Sequence, residues 1–183
     1  CVYFPKGGRE NTDEVLSIAR KRAQELGIKT IVVAATGGDT AAKAVKLFQG
    51  QRVVVVTHAT GFHSPNTQEL TEENRAEIEG GGGIILTCLH AFAGVGRAVR
   101  RKFATYQVEE IMAHTLKIFG QGMKVVVEVV LMAADAGLVR TDEEVISIAG
   151  QGRGADTAVV LKPANSQDFF DLRVKEILCK PRL

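Results

Sequence analysis

Two short runs of β-branched residues, Thr30 to Ala35 (TIVVAA) and Arg52 to Thr57 (RVVVVT), constrain the fold more than any other feature of the sequence. Each run has the length of a strand and is largely apolar, which is typical of strands buried on both faces of a parallel sheet. Helical patterns alternate with such runs along most of the chain. This alternation predicts an α/β fold, a three-layer α/β/α sandwich with a mostly parallel sheet. Further strands are predicted at Val2 to Phe4, Ile84 to Cys88, Glu144 to Ile148, Ala158 to Leu161 and Val174 to Leu178.

Helices are predicted between the strands. The first is expected to begin after Asn11 as its N-cap, with Glu14 completing a capping box, and Gly27 is expected to end it. The segment from Met123 to Ala136 is ambiguous, because its three consecutive valines favour a strand. It is too long for one strand, and we predict a buried helix there. The remaining helices are predicted up to Phe48, within Thr67 to Glu79, at Gly94 to Lys102 and at Val108 to Phe119.

Length and charge limit the class of protein. The 183 residues suggest one domain, residues 1–183. The 23 basic and 21 acidic side chains nearly balance, which argues against a nucleic-acid partner. No apolar run is long enough to cross a bilayer, so no membrane partner is expected, and the first residues lack the pattern of a signal peptide. Three cysteines without a CxxC spacing predict neither a disulfide framework nor a metal site, and a reduced, cytoplasmic protein is expected.

The segment from Thr36 to Thr40 (TGGDT) is the first candidate site. It joins a buried strand to the start of a helix, where glycines allow close approach of the backbone and the helix N-terminus offers free N–H groups to a phosphate. The alternative is an ordinary turn in which Asp39 or Thr40 caps the helix. The charge of Asp39 favours that alternative, because it would repel a phosphate.

The segment from Gly150 to Thr157 is the second candidate site. Gly150, Gly152 and Ala155 match the dinucleotide pattern G-x-G-x-x-A, but a strand follows where a helix is required, so that interpretation is rejected. Arg153 remains of interest, because an arginine on a glycine-rich loop can hold a phosphate or a carboxylate with two hydrogen bonds. The alternative is a glycine-rich hairpin with a solvated arginine.

Other residues that could carry chemistry have simpler interpretations. His58, His63 and His90 follow two predicted strands and could supply an acid–base group, and a hydrolase or lyase based on His90 or His63 is one hypothesis. Cys88 is expected to be buried and inert. The basic cluster around Arg97, Arg100, Arg101 and Lys102 could meet an anionic partner or simply be a solvated helix face. Glu128 and Asp135 could be catalytic carboxylates or paired groups at a helix end or an interface.

Motifs spread over nearly the whole chain resemble a known family. They are GRENT at Gly8 to Thr12, GDTA at Gly38 to Ala41, TGF at Thr60 to Phe62, MAADAG at Met132 to Gly137 and RGADTAVV at Arg153 to Val160. The chain resembles stand-alone archaeal and bacterial proteins that are similar to the C-terminal α/β domain of pyruvate kinase. In pyruvate kinases the two matching loops hold the phosphates of an allosteric sugar bisphosphate. A chain this short has no room for the additional catalytic barrel of a complete pyruvate kinase.

The resemblance implies a sheet of order 3-2-1-4-5 with a last antiparallel strand. It also implies a phosphorylated ligand, flavin mononucleotide (FMN) in the first instance, and thus a flavin-dependent oxidoreductase as one hypothesis. The alternative is a non-catalytic sensor or regulatory domain that binds a sugar phosphate or a nucleotide. A homo-oligomer is a further expectation, and no catalytic residue is assigned. The residues expected to bind the ligand are Asn11, Thr12, Ala35, Thr36, Gly37, Gly38, Asp39, Thr40, Thr57, Thr60, Gly61, Phe62, Gly150, Gly152, Arg153, Gly154, Asp156 and Thr157.

Overall fold

The computed structural model describes residues 1–182, in which helices and strands alternate as the sequence predicts. The strands are β1 (Val2–Phe4), β2 (Thr30–Ala35), β3 (Arg52–Thr57), β4 (Ile84–Leu86), β5 (Val145–Ala149), β6 (Thr157–Lys162) and β7 (Arg173–Pro181). The α-helices are α1 (Thr12–Leu26), α2 (Asp39–Leu47), α3 (Glu72–Gly80), α4 (Val95–Phe103), α5 (Val108–Lys117) and α6 (Gln121–Asp135). Short 3-10 turns lie at Arg9–Asn11 and Ser166–Asp171.

All seven strands belong to one sheet of order β1-β7-β6-β5-β2-β3-β4. The predicted order 3-2-1-4-5 is confirmed, because it corresponds to the run β4-β3-β2-β5-β6. β2 pairs in parallel with both β3 and β5. The reversed strand is β6, which pairs antiparallel with β5 on one side and β7 on the other. The predicted fold class, an α/β sandwich around a mostly parallel sheet, is therefore confirmed.

Successive side chains of β2 point into two different cores, as the pleat of a strand requires. Ile31 and Val33 pack into the core formed with α1, α2 and α3. Val32, between them, packs into the core on the opposite face, which is built mainly from α6. All three side chains are fully buried, and this double burial explains why the strand is apolar throughout.

The ambiguous segment is a buried helix, as predicted. α6 lies across the sheet and buries side chains all around its circumference, including the consecutive valines Val126 and Val127. Val125, Val126 and Val127 have a strand propensity worth only tenths of a kcal/mol each, and burial against the sheet outweighs it. A helix that is apolar over most of its circumference is expected when the sheet and another helix cover it.

The start of α1 corrects one prediction. Asn11 is the N-cap residue, but its side chain makes no capping hydrogen bond, so the predicted capping box is wrong. The amide of Asn11 instead donates to the carbonyl oxygens of Lys6 and Gly8, at 2.9 and 3.2 Å. The end of α1 is as predicted, because Gly27 adopts the left-handed conformation with φ of +66°.

None of the helices formed by residues 1–182 combines the length and the apolar character that a bilayer crossing requires.

Candidate functional site

A cleft of about 360 Å³ opens where β2 and β5 end. These two strands are parallel neighbours. The strands that follow β2 in the chain, β3 and β4, lie on one side of this pair, whereas β6 and β7 lie on the other side. Parallel α/β sheets bind ligands at such a switch point. The cleft is lined by the loop 36–40, by Thr57, His58, Phe62, His90 and Arg97, by Lys117, Gln121, Lys124 and Glu128, and by the loop 150–154.

The loop after β2 presents the start of α2 to this cleft. Gly38 is the N-cap of α2 with φ of +107°, and no side chain caps the helix. The alternative in which Asp39 or Thr40 acts as the cap is therefore wrong. A Cβ atom at Gly38 would lie 2.6 Å from the side chains of both Leu70 and Asn74, so only glycine fits this position. The first N–H groups of α2 thus remain available to an anion in the cleft.

A buried carboxylate holds the loop after β5. The side chain of Asp156 accepts hydrogen bonds from the N–H groups of Gly8 and Gln151, at 3.0 and 3.2 Å, and from the hydroxyl of Thr157, at 2.7 Å. Burial raises the pKa of Asp156, although these hydrogen bonds act in the opposite direction. The carboxylate is therefore already committed to the loop and to the N-terminal segment.

Thr12 holds the same loop from the other side. Its hydroxyl donates to the carbonyl of Arg9 at 2.7 Å and accepts from the N–H of the fully buried Ala155 at 3.1 Å. A Cβ atom at Gly154 would lie 2.1 Å from the Cα of Arg9, so the two segments are in close backbone contact. Residues 6–12 are in this way fixed against the loop 150–156, which orders the loop without placing Asn11 or Thr12 in the cleft.

The wall opposite α2 comes from α5 and α6, and the sequence reasoning assigned it no ligand-binding residue. Lys117, Gln121 and Lys124 line the cleft there. Glu128, which is 4% exposed, forms an ion pair with Lys124 and accepts the N–H of Phe92 at 3.1 Å. The sequence signal that could have indicated this wall is the i,i+4 spacing of lysine and glutamate within an apolar helix.

The third side of the cleft is formed by stacked phenylalanine and histidine rings. The ring of Phe62 stacks on those of His58 and His90, with centroids 4.2 and 5.0 Å apart. The guanidinium of Arg97 lies 4.8 Å from the centroid of the Phe62 ring, which suits a cation–π contact. These residues come from three elements, namely the loop after β3, the loop after β4 and α4. The three elements therefore meet at one point.

Twelve of the residues expected to bind a ligand lie together in the cleft, and six do not. Those in the cleft are Ala35, Thr36, Gly37, Gly38, Asp39, Thr40, Thr57, Phe62, Gly150, Gly152, Arg153 and Gly154. Those outside its lining are Asn11, Thr12, Thr60, Gly61, Asp156 and Thr157. Asn11, Thr12, Asp156 and Thr157 hold the loops in place, whereas Thr60 and Gly61 are exposed in the loop after β3.

The charges in the cleft favour an anionic ligand. Lys124 and Glu128 are neutral as a pair, which leaves the cations Arg97, Lys117 and Arg153 against the single carboxylate of Asp39. Arg153 has φ of +63°, a left-handed conformation that costs a residue with a side chain about 1–2 kcal/mol. Strained residues of this kind are common in binding loops.

Cys88 and His90 are both in surroundings that do not suit a catalytic group. Burial raises the pKa of Cys88, so its sulfur is a thiol near neutral pH and a weak nucleophile. His90 accepts a hydrogen bond at Nε2 from the N–H of Ala59 at 3.1 Å. This nitrogen is therefore already occupied and does not offer a free base to a substrate.

Comparison with known proteins relates the chain to pyruvate kinase. The family model described as "Pyruvate kinase, alpha/beta domain" matches residues 13–161. A crystal structure of a pyruvate kinase from Cryptosporidium parvum is similar at 12% identity with a TM-score of 0.42, over 83% of this chain and 22% of that chain. A second structure of pyruvate kinase from that organism, and one in complex with ADP, each give 12% identity and a TM-score of 0.38. They match 81% of this chain, which spans 22% of their length.

These comparisons correct the expected ligand. The family model that matches describes the pyruvate kinase alpha/beta domain, and nothing in it indicates FMN. The expectation of FMN is therefore wrong, and the idea of a flavin-dependent oxidoreductase loses its basis. The resemblance to the pyruvate kinase domain, by contrast, is confirmed. Because the family model matches all of the chain from the first turn of α1 to β6, the chain belongs to the pyruvate kinase alpha/beta domain family.

Proposed function

We propose that the chain is a non-catalytic regulatory domain that binds a phosphorylated metabolite, a sugar phosphate or a nucleotide, in the cleft between β2 and β5. The observation that carries this proposal is the position of Arg153 in the same cleft as the uncapped start of α2. A phosphate at the helix start would receive backbone N–H groups and the hydroxyls of Thr36 and Thr40. The guanidinium of Arg153 would add a charge-assisted hydrogen bond.

The charges around the cleft support the same proposal. Arg97 and Lys117 bring two more cations to its walls, and a concave site focuses their potential on a bound anion. Asp39 opposes them, but it is an exposed side chain at the rim of the loop, where water screens its charge. The balance therefore favours a phosphate over an uncharged ligand.

The regulatory role is supported by the surroundings of the candidate catalytic groups. His90 Nε2 already accepts the Ala59 N–H, and Cys88 stays a thiol. Both oxygens of Glu128 are also occupied, one by Lys124 and the other by the N–H of Phe92. Groups that are satisfied by the protein itself suit a binding site better than a reaction that needs a free base.

The proposal is tested by thermal unfolding of the protein with glucose 6-phosphate, AMP and inorganic phosphate as separate probes. A ligand that binds only the folded state raises the unfolding temperature, and the rise grows with the logarithm of the ligand concentration above its Kd. We expect a concentration-dependent rise with at least one phosphate ester. The variant Thr40→Glu places a carboxylate at the start of α2 and should abolish the rise, whereas Thr40→Ser keeps the hydroxyl and should retain it.

A second variant separates binding from stability. Arg153→Asn removes the guanidinium, and asparagine adopts a left-handed conformation at less cost than arginine. We expect this variant to be as stable as the wild type and to bind the phosphate ester at least tenfold more weakly. Arg52→Gln is the matched control, because Arg52 lies at the start of β3, at the opposite end of the sheet. Equal affinity in Arg153→Asn, or chemical conversion of the bound ester, would contradict the proposal.

We also propose that the chain self-associates. The segment that includes α4 and α5 exposes eight large apolar side chains, each at least half accessible, namely Leu89, Val95, Phe103, Tyr106, Val108, Ile111, Ile118 and Phe119. Monomers rarely expose so many apolar groups in one region, and a second copy of the chain would cover them. Light scattering should give a mass above that of one chain, and a mass of one chain at micromolar concentration would refute this.

A cytoplasmic location stays a prediction that the cysteines support. Cys1, Cys88 and Cys179 are free thiols in the structure. Burial raises the pKa of Cys179 to about 12, so this thiol is unreactive, and the two others are not paired with it. Free thiols are typical of a reducing compartment.

A further inference from the structure

The connection between β3 and α3 is held over the cleft by a histidine that contacts it twice, while Arg97 also lies against its Phe62 ring. We refer to this connection, residues 58–71, as the flap. The backbone N–H of Ala59 donates to Nε2 of His90 at 3.1 Å, and the ring of Phe62 stacks on that of His90. His90 itself belongs to the loop after β4, not to the flap. One side chain from outside the flap thus makes both a hydrogen bond and a ring contact to it.

The hydrogen bond fixes where the proton of His90 is. A backbone N–H can only donate, so Nε2 must be the unprotonated nitrogen and Nδ1 carries the hydrogen. Nδ1 lies 3.9 Å from Oε1 of Glu128, which is beyond hydrogen-bond distance. The imidazole side chain is only 10% exposed. The geometry therefore requires a neutral ring for the contact with Ala59.

The surroundings also favour the neutral ring. Burial lowers the pKa of His90, and the nearby charges of His58, Lys124 and Arg97 lower it further, whereas Glu128 acts in the opposite direction. The attraction of Glu128 is limited, because Lys124 already forms an ion pair with it. His90 is therefore neutral near pH 7, and the tie to Ala59 is intact there.

Protonation of His90 is incompatible with the tie. A hydrogen on Nε2 would face the hydrogen of the Ala59 N–H across 3.1 Å, with no acceptor between them. The two other titratable groups on the flap near this point, His58 and His63, lie 2.5 and 3.5 Å from the carboxylate of Glu69. Glu69 is itself part of the flap, so this cluster would move with it.

We propose that His90 is a pH-sensitive latch for the flap: the neutral ring holds Ala59 and Phe62 over the cleft, and the protonated ring releases them. The latch goes beyond the proposed binding of a phosphorylated metabolite and does not depend on it. Its consequence for that function is that access to the cleft changes with pH. Because Phe62 and His58 line the cleft, release of the flap removes one of its walls.

The latch is tested without any ligand by NMR spectroscopy of the ¹⁵N-labelled protein between pH 8 and pH 5. We expect the Ala59 amide resonance to shift with a midpoint below 6.5, the ordinary pKa of histidine. Its protection against hydrogen exchange should fall at least tenfold across the same transition, after correction for the intrinsic pH dependence of exchange. The ring nitrogens of His90 should show the hydrogen on Nδ1 at pH 7.5.

Two variants make the test specific. Glutamine in His90→Gln offers a carbonyl oxygen to the Ala59 N–H but does not titrate, so the transition at Ala59 should disappear. His63→Gln removes an exposed histidine of the same flap that does not contact Ala59, and the transition should remain.

An Ala59 amide that does not respond to pH would overturn the latch, and so would a transition that persists in His90→Gln. If the His90→Gln variant does not fold, the wild-type protein still provides a test. A hydrogen found on Nε2 of His90 at pH 7.5 would by itself overturn the latch. None of these results depends on whether a phosphate ester binds.

Discussion

The hydroxyl of Thr12 gives the sharpest test of how the loop after β5 is held. Thr12→Val keeps the shape of the side chain and removes both of its hydrogen bonds, the donation to Arg9 and the acceptance from the Ala155 N–H. Ala155 is fully buried, so its N–H finds no water, and an unsatisfied buried donor costs about 1–3 kcal/mol. Threonine and valine have nearly equal helix propensities, so the helix itself contributes little. We expect a loss of about 2 kcal/mol in the free energy of unfolding.

Urea unfolding measures this loss, with the m-value checked for constancy so that the change in midpoint reports stability. Thr12→Ser is the matched control, because it keeps the hydroxyl and removes one methyl group, at a cost of up to about 1 kcal/mol. The Thr12→Val variant should therefore have a free energy of unfolding at least about 1 kcal/mol below that of the Thr12→Ser variant. If the Thr12→Val variant is as stable as the Thr12→Ser variant or more stable, the Thr12 hydroxyl does not hold the loop after β5.

Two further substitutions, each with its own control variant, test the cleft walls. Gly150→Ala would place a Cβ atom 2.4 Å from the carbonyl oxygen of Gly154, so we expect a loss of about 1–3 kcal/mol and at least tenfold weaker binding of a phosphate ester. Gly80→Ala, with nothing within 4 Å of the added atom, should show neither effect. Glu128→Gln leaves the charge of Lys124 without its partner and should cost about 3–5 kcal/mol in urea unfolding. The double variant Glu128→Gln with Lys124→Met should recover most of that free energy of unfolding. If it does not, the unpaired charge of Lys124 is not the cause of the loss.

Local features were sufficient to predict most of the fold. The apolar runs of β2 and β3 are as long as the strands they form, and Gly27 ends α1 where a left-handed residue is needed. The order of the strands came from the resemblance to the pyruvate kinase domain, because parallel strands are joined by long crossover connections and local patterns do not show which strands pair. The capping box at Asn11 failed because a competing set of backbone carbonyls, in the turn before α1, took the side chain.

The candidate site could be predicted only in part, because some of its residues have no clear local signal in the sequence. The loops after β2 and β5 carry glycines next to strand ends, and this signal is local. Lys117 carries no such signal, since a lysine on a helix is usually solvated, and the local signal of Lys124 is only its i,i+4 spacing from Glu128. Only the rotation of α6 on the sheet brings Lys124 into the cleft. Thr12 and Asp156 are residue types that could have bound a ligand, but packing of residues 6–12 on the loop after β5 uses their hydrogen bonds.

The sequence alone determined the alternation of strands and helices and the glycine-rich ends of β2 and β5, because these depend on side-chain shape and polarity within a few residues. The tertiary structure brings these two strand ends into one cleft, as the resemblance to the pyruvate kinase domain had predicted. It also decided that Lys124 and Glu128 form part of its wall and that a neutral His90 ties down Ala59. The contact of His90 with Ala59, and the meeting of α6 with the two loops, join residues far apart in the chain. Their geometry follows from how whole layers pack, which no local pattern records.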